Sequence, residues 1–483
     1  MLPPVGVQPR TFAAVALAPV VSDVPPLAAA PASAAARLAY VAQHFALAYP
    51  GAPPLAALVG QPGSGAALQM PDHSAGFFSQ PLPYPPPPHW RDWQQQRLPF
   101  FFDPQPEVPL LALDAATKTA VFGADVVSAA FYLLSGWQEY FSEERDAHGR
   151  FPYAASVQKQ FGFVTVPVVN YYFDVLKTAV EHHTGQPLAP RRWGPEAAPF
   201  ATCLTHDVDS LHGGWGTAAR HALRQRQPGR LLALAASKAL GRPAPWHNLA
   251  AVQAATARHG APGTFFLLLN HRPAPGGPPN ADYDFAHPAW PARLAALRQH
   301  GAEIALHGSY GTARRAPALA AEAARLRPAP AGQRFHYLSW EPRATPAVVE
   351  KAGFAYDTTL GFAEHYGFRN SCCLPFFPWN FAQAQPHTFL EIPLAVMDTT
   401  LHHPRYLQLD AAAILPALTP LLTAIKRFGG VFTLLWHNEN FDSLNEVNGP
   451  QQFHEIAALV QEMGSGFFTC AEIVRQVQTD ATQ

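Results

Sequence analysis

From Phe200 onward, short apolar runs alternate with alanine- and leucine-rich segments of helical spacing, and no other feature restricts the chain as much. Runs at 263–269, 303–306, 334–338, 389–396 and 431–436 read as strands, as does the run that opens at 200–204. Helical patterns at 290–300, 317–326, 345–352, 411–428 and 451–463 separate them. Strand and helix in strict alternation predict a parallel sheet or an α/β barrel. In a barrel of parallel strands the carboxyl ends of all strands open on one face, and function gathers there.

Four of these strands end in residues that can do chemistry. The first runs into Thr205-His206-Asp207-Val208-Asp209, and side chains two apart on an extended segment point the same way, so both carboxylates can share a pocket. The second ends in His307-Gly308-Ser309-Tyr310, the third in Arg334-Phe335-His336-Tyr337-Leu338, and the fourth in Leu435-Trp436-His437-Asn438. A barrel would bring Asp207, Asp209, His307, His336 and His437 around one cavity although they are far apart in sequence.

These motifs, over residues 200 to 475, resemble the polysaccharide deacetylase (NodB-homology) family, in the subgroup with an extra uncharacterised N-terminal domain. Tyr356-Asp-Thr-Thr-Leu-Gly and Glu391-Ile-Pro-Leu belong to the same likeness. The resemblance implies a distorted (β/α) barrel, a divalent metal with zinc foremost, and hydrolysis of acetyl groups on sugars. By the same match Asp207 is expected to be the general base, Asp209 and His307 metal ligands, Arg334 the residue that orients the base, and His437 the general acid. The family's second motif has a further histidine four residues after the first, and here that position is Gly311. Catalytic zinc usually keeps three protein ligands. His336 is the expected substitute, with His402 and His403 as weaker options. Aromatics of the long 357–381 loop region (Phe362, Tyr366, Trp379) could stack on a sugar ring, and Tyr310 or a backbone amide after His336 could complete an oxyanion site.

The leading expectation is a metal-dependent hydrolase of carbon–nitrogen (non-peptide) bonds acting on acetylated amino sugars of a cell-envelope or exopolysaccharide glycan. Gly311 keeps open a catalytically silent glycan-binding protein, and fold alone leaves open a hydrolase of a non-sugar linear amide. There is no Gly-x-Ser-x-Gly elbow and no phosphate-loop lysine, which disfavours a serine hydrolase and nucleotide binding.

A chain of 483 residues has room for two domains, taking roughly 150 residues for each. The expected division is 1–195, a smaller mixed α/β accessory region of unassigned role, and 196–483, the barrel. The first region is proline-laden, with helical spacing at 37–47, an aromatic-rich segment at 124–141 with its acids on the solvent side, a segment at 163–176 and a linker at 188–199. A strand is expected at 11–21, in preference to a secretion signal. The net charge of -1 carries no electrostatic footprint for nucleic acid. Four cysteines at 203, 372, 373 and 470 form no zinc-binding spacing and suit a reducing compartment. No apolar stretch is long enough to span a membrane. A cytoplasmic location is the default expectation, and the oligomeric state is left open.

Overall fold

The computed structural model describes residues 27 and 29–480 except 75, 275–276 and 443–448, so the strand expected at 11–21 lies outside the described residues. Its centre is a nine-stranded sheet in which every pairing is parallel. In chain order the strands are β1 (Ala201–Val208), β2 (Gly263–Leu268), β3 (Glu303–Gly308), β4 (Gly332–Phe335) and β5 (Tyr356–Asp357). β6 (Leu390–Glu391), β7 (Val396–Met397), β8 (Val431–Leu435) and β9 (Gly466–Phe467) follow. Neighbours run β6-β5-β4-β3-β2-β1-β8-β7, with β9 also paired to β1.

The two outer strands are halves of one stretch of chain. β6 pairs with β5, and Ile392 N–H still donates to Asp357 O at 2.9 Å. Four residues later β7 pairs with β8, with Ala395 N–H on Thr433 O at 3.2 Å. The sheet therefore curls until a single segment joins its edges, which gives the distorted (β/α) barrel. Pro393, which has no N–H to donate, sits where the pairing changes sides. This is why the strand expected at 389–396 is found as two short pieces.

Every residue of β1, β2 and β8 is buried, as a parallel strand covered on both faces requires. Helices Trp290–Gln299, Ala316–Ala323, Thr345–Lys351 and Pro450–Glu462 each carry proline in the first turn. Proline's fixed φ suits a helix start, and its missing N–H is not needed there. The strand expected at 334–338 stops at Phe335, because Tyr337 and Leu338 adopt φ of 58° and 50°.

Before residue 200 the chain is more regular than its proline content suggests. Helix Val168–Thr184 lies against a four-stranded sheet of Val59–Gly60, Leu68–Gln69, Thr119–Phe122 and Leu111–Asp114. Helix Ala34–Ala48 packs on Val126–Leu134. Gly136, at φ 71°, separates Val126–Leu134 from Trp137–Phe141, so the segment at 124–141 is two helices. Buried side chains on both sides of residue 200 belong to one continuous core. The stretch expected as a linker is tied down on both sides: Arg191 Nε donates to Leu47 O at 2.7 Å, and buried Trp193 Nε1 to Gly429 O at 2.8 Å. Among the described residues no helix is long and apolar enough to cross a membrane.

Candidate functional site

Alternation along β1 decides which of its polar residues face the barrel interior. Thr205 and Asp207 point inward, where Arg334 Nη1 lies 3.0 Å from Thr205 Oγ1 and 2.8 Å from Asp207 Oδ1. His206 points outward against Phe265 and Phe453. Burial pushes its imidazole down to about 4, so it is neutral packing. Arg334 is fully buried, with Nε on Thr358 O at 2.9 Å and its guanidinium 4.5 Å over the Phe266 ring. Its ion-pair partner within 4 Å is Asp207, and the nearby Asp357 and Glu391 carboxyls hydrogen-bond one another. Burial pushes Asp357 up to about 6 and Glu391 well above its usual range.

Asp209, just past the end of β1, meets two imidazoles from adjoining strand ends. Its Oδ1 is 3.3 Å from His307 Nε2 and 3.5 Å from His336 Nδ1, and those two nitrogens are 3.2 Å apart. Oδ1 is buried and has no hydrogen-bond donor. Backbone carbonyls hold the other face of each ring: Arg334 O on His307 Nδ1 at 2.9 Å, and Pro279 O on His336 Nε2 at 3.3 Å. A carbonyl can only accept, so each contacted nitrogen carries a proton, and in the neutral ring the opposite lone pair faces Asp209. Burial opposes a charge on His307, but the Asp207 and Asp209 carboxylates more than offset it and raise its imidazole, so a cation there takes the place of a proton. An orphaned carboxylate oxygen and two aimed imidazole lone pairs fit a divalent cation. Among the described residues this is the one cluster of three such groups. Burial pushes His336 down to about 4, which keeps it neutral and available.

His437 stands at the end of β8 with Nε2 3.8 Å from Asp209 Oδ2. Its Nδ1 and its backbone N–H both lie 2.7 Å from oxygens of Asp398, a fully buried carboxylate that Asn440 also holds at 2.6 Å. Burial opposes a charge on His437, but the Asp398 carboxylate more than offsets it and raises the imidazole well above its usual value. Burial also pushes the neighbouring Glu439 carboxyl up to about 7. Neither Asp398 nor Glu439 was among the residues expected from the sequence. Asp398 is the first polar residue after the apolar strand β7, but a strand of two residues is too short to give the signal that revealed the others.

Other expectations are overturned. His402 hydrogen-bonds Leu409 O and His403 accepts from Arg405 N–H, so neither joins the cluster. Gly311 has φ 94°, and a Cβ there would sit 3.2 Å from Ala274 Cβ, so the turn is built for glycine. The aromatics of the 357–381 stretch pack elsewhere. Trp379 packs on Tyr40 and Phe131, Phe362 lies against Tyr153 and Arg369, and the Tyr366 hydroxyl donates to Ala417 O. That loop instead grips the N-terminal region: Phe368 N–H donates to Val164 O, and Arg369 makes a paired contact with Glu139 at 2.8 and 2.6 Å. Tyr310 stands edge-on to Tyr337, and no contact ties it to Asp207, Asp209 or His437. The N-terminal region reaches the rim as well. Arg150 Nη1 donates to Tyr337 O at 2.8 Å, and the His148 ring stacks on Tyr337 beside His336.

Residues 59–185 match the model of a family of unknown function, DUF7033. No curated protein matches the chain. Among solved structures it is similar to a polysaccharide deacetylase candidate from Mycobacterium smegmatis, at 19% identity and TM-score 0.40, over 61% of this chain and 96% of that one. It is similar also to the PuuE allantoinase, at 13% identity and TM-score 0.40, over 59% and 93%. A third is the catalytic domain of a peptidoglycan N-acetylglucosamine deacetylase from Eubacterium rectale, at 12% identity and TM-score 0.26, over 58% and 92%.

Proposed function

We propose that this chain is a metal-dependent hydrolase that removes acetyl groups from amino sugars of a cell-envelope or exopolysaccharide glycan. The observation that carries this reading is the orphaned Asp209 Oδ1 facing the lone pairs of His307 and His336, with the Asp207–Arg334 and His437–Asp398 pairs beside it. Asp209, His307 and His336 would hold the cation. When bound, it supplies an acidified water and a polarised carbonyl.

The side chains account for the proton traffic. Arg334 occupies Asp207 Oδ1, which leaves Oδ2, 3.6 Å from His307 Nε2, turned toward the cluster to take the proton of the attacking water. His437, kept protonated by Asp398, delivers a proton from Nε2 to the departing amine nitrogen as the C–N bond breaks. Acetate and a free amino sugar are the products. The silent glycan-binding alternative rested on Gly311, and the place of His336 beside Asp209 and His307 supports the hydrolase reading.

The test is acetate release from acetylated amino-sugar oligomers. The reading expects activity that a chelator abolishes, with kcat/KM reduced at least about 100-fold in Asp207→Asn and in His437→Ala. Full activity in both variants would overturn the assignment.

A further inference from the structure

Between β1 and β2 the chain makes a helical hairpin, Trp215–Arg224 and Pro228–Ala239, whose surface is unlike the rest of the molecule. Residues 210–281 contain Arg220, Arg224, Arg226, Arg230, Lys238, Arg242, Arg258 and Arg272 and not one aspartate or glutamate, in a chain whose net charge is -1. The first six of these cations are exposed, and none enters an ion pair among the described residues. Leu223, Leu232 and Leu240 are 67%, 73% and 71% exposed, the most exposed large apolar side chains among the described residues.

Helix Pro228–Ala239 has no buried residue at all. Leu231, Leu234 and Ser237, three apart, are half-buried on one stripe; the opposite stripe is Leu232, Ala233, Ala235, Ala236 and Ala239, all exposed. A helix in contact only with water normally puts charge on that outer stripe. Here the outer stripe is apolar, and exposed cations stand near the ends of this helix (Arg230, Lys238) and on the helix it pairs with (Arg220, Arg224), a combination that suits the headgroup region of an anionic bilayer.

The hairpin is anchored at the catalytic end of the barrel. It leaves the carboxyl end of β1, and Asn438, next to His437, ties its two feet together by donating to Ser210 O at 2.8 Å and Trp246 O at 3.0 Å. Trp246 packs on Gly213 and Gly214 so closely that a Cβ on either would fall within 3 Å of the indole. An open groove of about 510 Å³ begins at His247 and is walled by alanine and leucine, with Arg293 and His300.

We propose that the hairpin docks the protein on an anionic phospholipid surface and so presents the mouth of the site to substrate at the membrane. Exposed leucines supply insertion and the unpaired cations supply attraction. The proposal stands apart from the reaction itself, because the site and the hairpin use different residues.

Co-sedimentation with vesicles decides it, comparing phosphatidylcholine alone with phosphatidylcholine and phosphatidylglycerol in equal parts. Binding is expected with the anionic vesicles only, and it should weaken as salt is raised. The triple variant Leu223→Asp, Leu232→Asp, Leu240→Asp should bind at least about 10-fold more weakly. Arg220→Gln, Arg224→Gln and Arg230→Gln should each cost about fivefold, at an unchanged thermal midpoint since all are exposed. Equal sedimentation with both vesicle types, or leucine variants that bind like the parent, would overturn the proposal. So would concentration-dependent self-association without lipid that the leucine variants abolish, which would assign the face to a second copy of the chain.

Discussion

At the scale of single residues, the site works by directing lone pairs and protons. Carbonyls of Arg334 and Pro279 decide which nitrogen is bare in the neutral His307 and His336 rings, and Asp398 faces Nδ1 of His437, which leaves Nε2 for the proposed proton transfer. The sequence could offer Asp207, Asp209, His307 and His437 because each terminates an apolar run. It could not offer the carbonyl partners, since a backbone oxygen leaves no mark in a sequence. Asp398 follows a strand of only two residues, too short for its run to stand out. Asp398→Asn removes the charge opposite His437 while keeping the shape. We expect kcat to fall about 100-fold with KM little changed, measured by acetate release. His44 shows the same logic away from the site. Its Nδ1 donates to Tyr40 O, its Nε2 accepts from Phe377 N–H, and burial pushes it down to about 4. Because the folded value lies below the unfolded one of about 6.5, the unfolded chain takes the proton first as pH falls. Stability is full above about 6.5 and declines toward pH 4, by up to about 3 kcal/mol from this group. Urea midpoints between pH 7 and pH 5 should therefore fall, with a shallower slope in His44→Gln. An equal slope in the variant would remove His44 from the account.

At the scale of elements, the barrel strands were readable where they are long and continuous, as in β1, β2, β3 and β8. Reading failed where tertiary contacts override local pattern. The 334–338 run is apolar enough for a strand, yet left-handed Tyr337 ends it, held in place by Arg150 and His148 from a region distant in sequence. The 357–381 stretch looked like a substrate-binding loop because it is aromatic and long. Its aromatics serve instead as the contact surface for the N-terminal helices. Glu139 illustrates the cause: its helix pattern placed it toward solvent, but it is buried against Arg369 from that loop. Glu139→Gln leaves an arginine buried without its counter-charge, which costs about 3–5 kcal/mol. The expected result is a clear drop in the denaturant midpoint, and an unchanged midpoint would show that the pair contributes nothing.

At the scale of the whole molecule, the fold class follows from strand–helix alternation, whereas closure does not. Closure depends on residues 390–397 pairing first with β5 and then with β8, a change of partner that periodicity cannot express. The N-terminal region and the barrel share one core, joined also by Arg145–Glu341 and Arg343–Glu143 ion pairs. We expect the chain to unfold in one calorimetric transition, and two separated transitions would contradict a shared core. The barrel matters because it carries Asp209, His307 and His336 from three strand ends to a common point. The most direct test of that convergence is the divalent-metal content of the purified chain beside His336→Ala and His402→Ala, read by elemental analysis after dialysis. The account predicts a stoichiometric ion in the parent and in His402→Ala, and loss of it in His336→Ala. An ion retained undiminished in His336→Ala, or absent from the parent after supplementation, would contradict it.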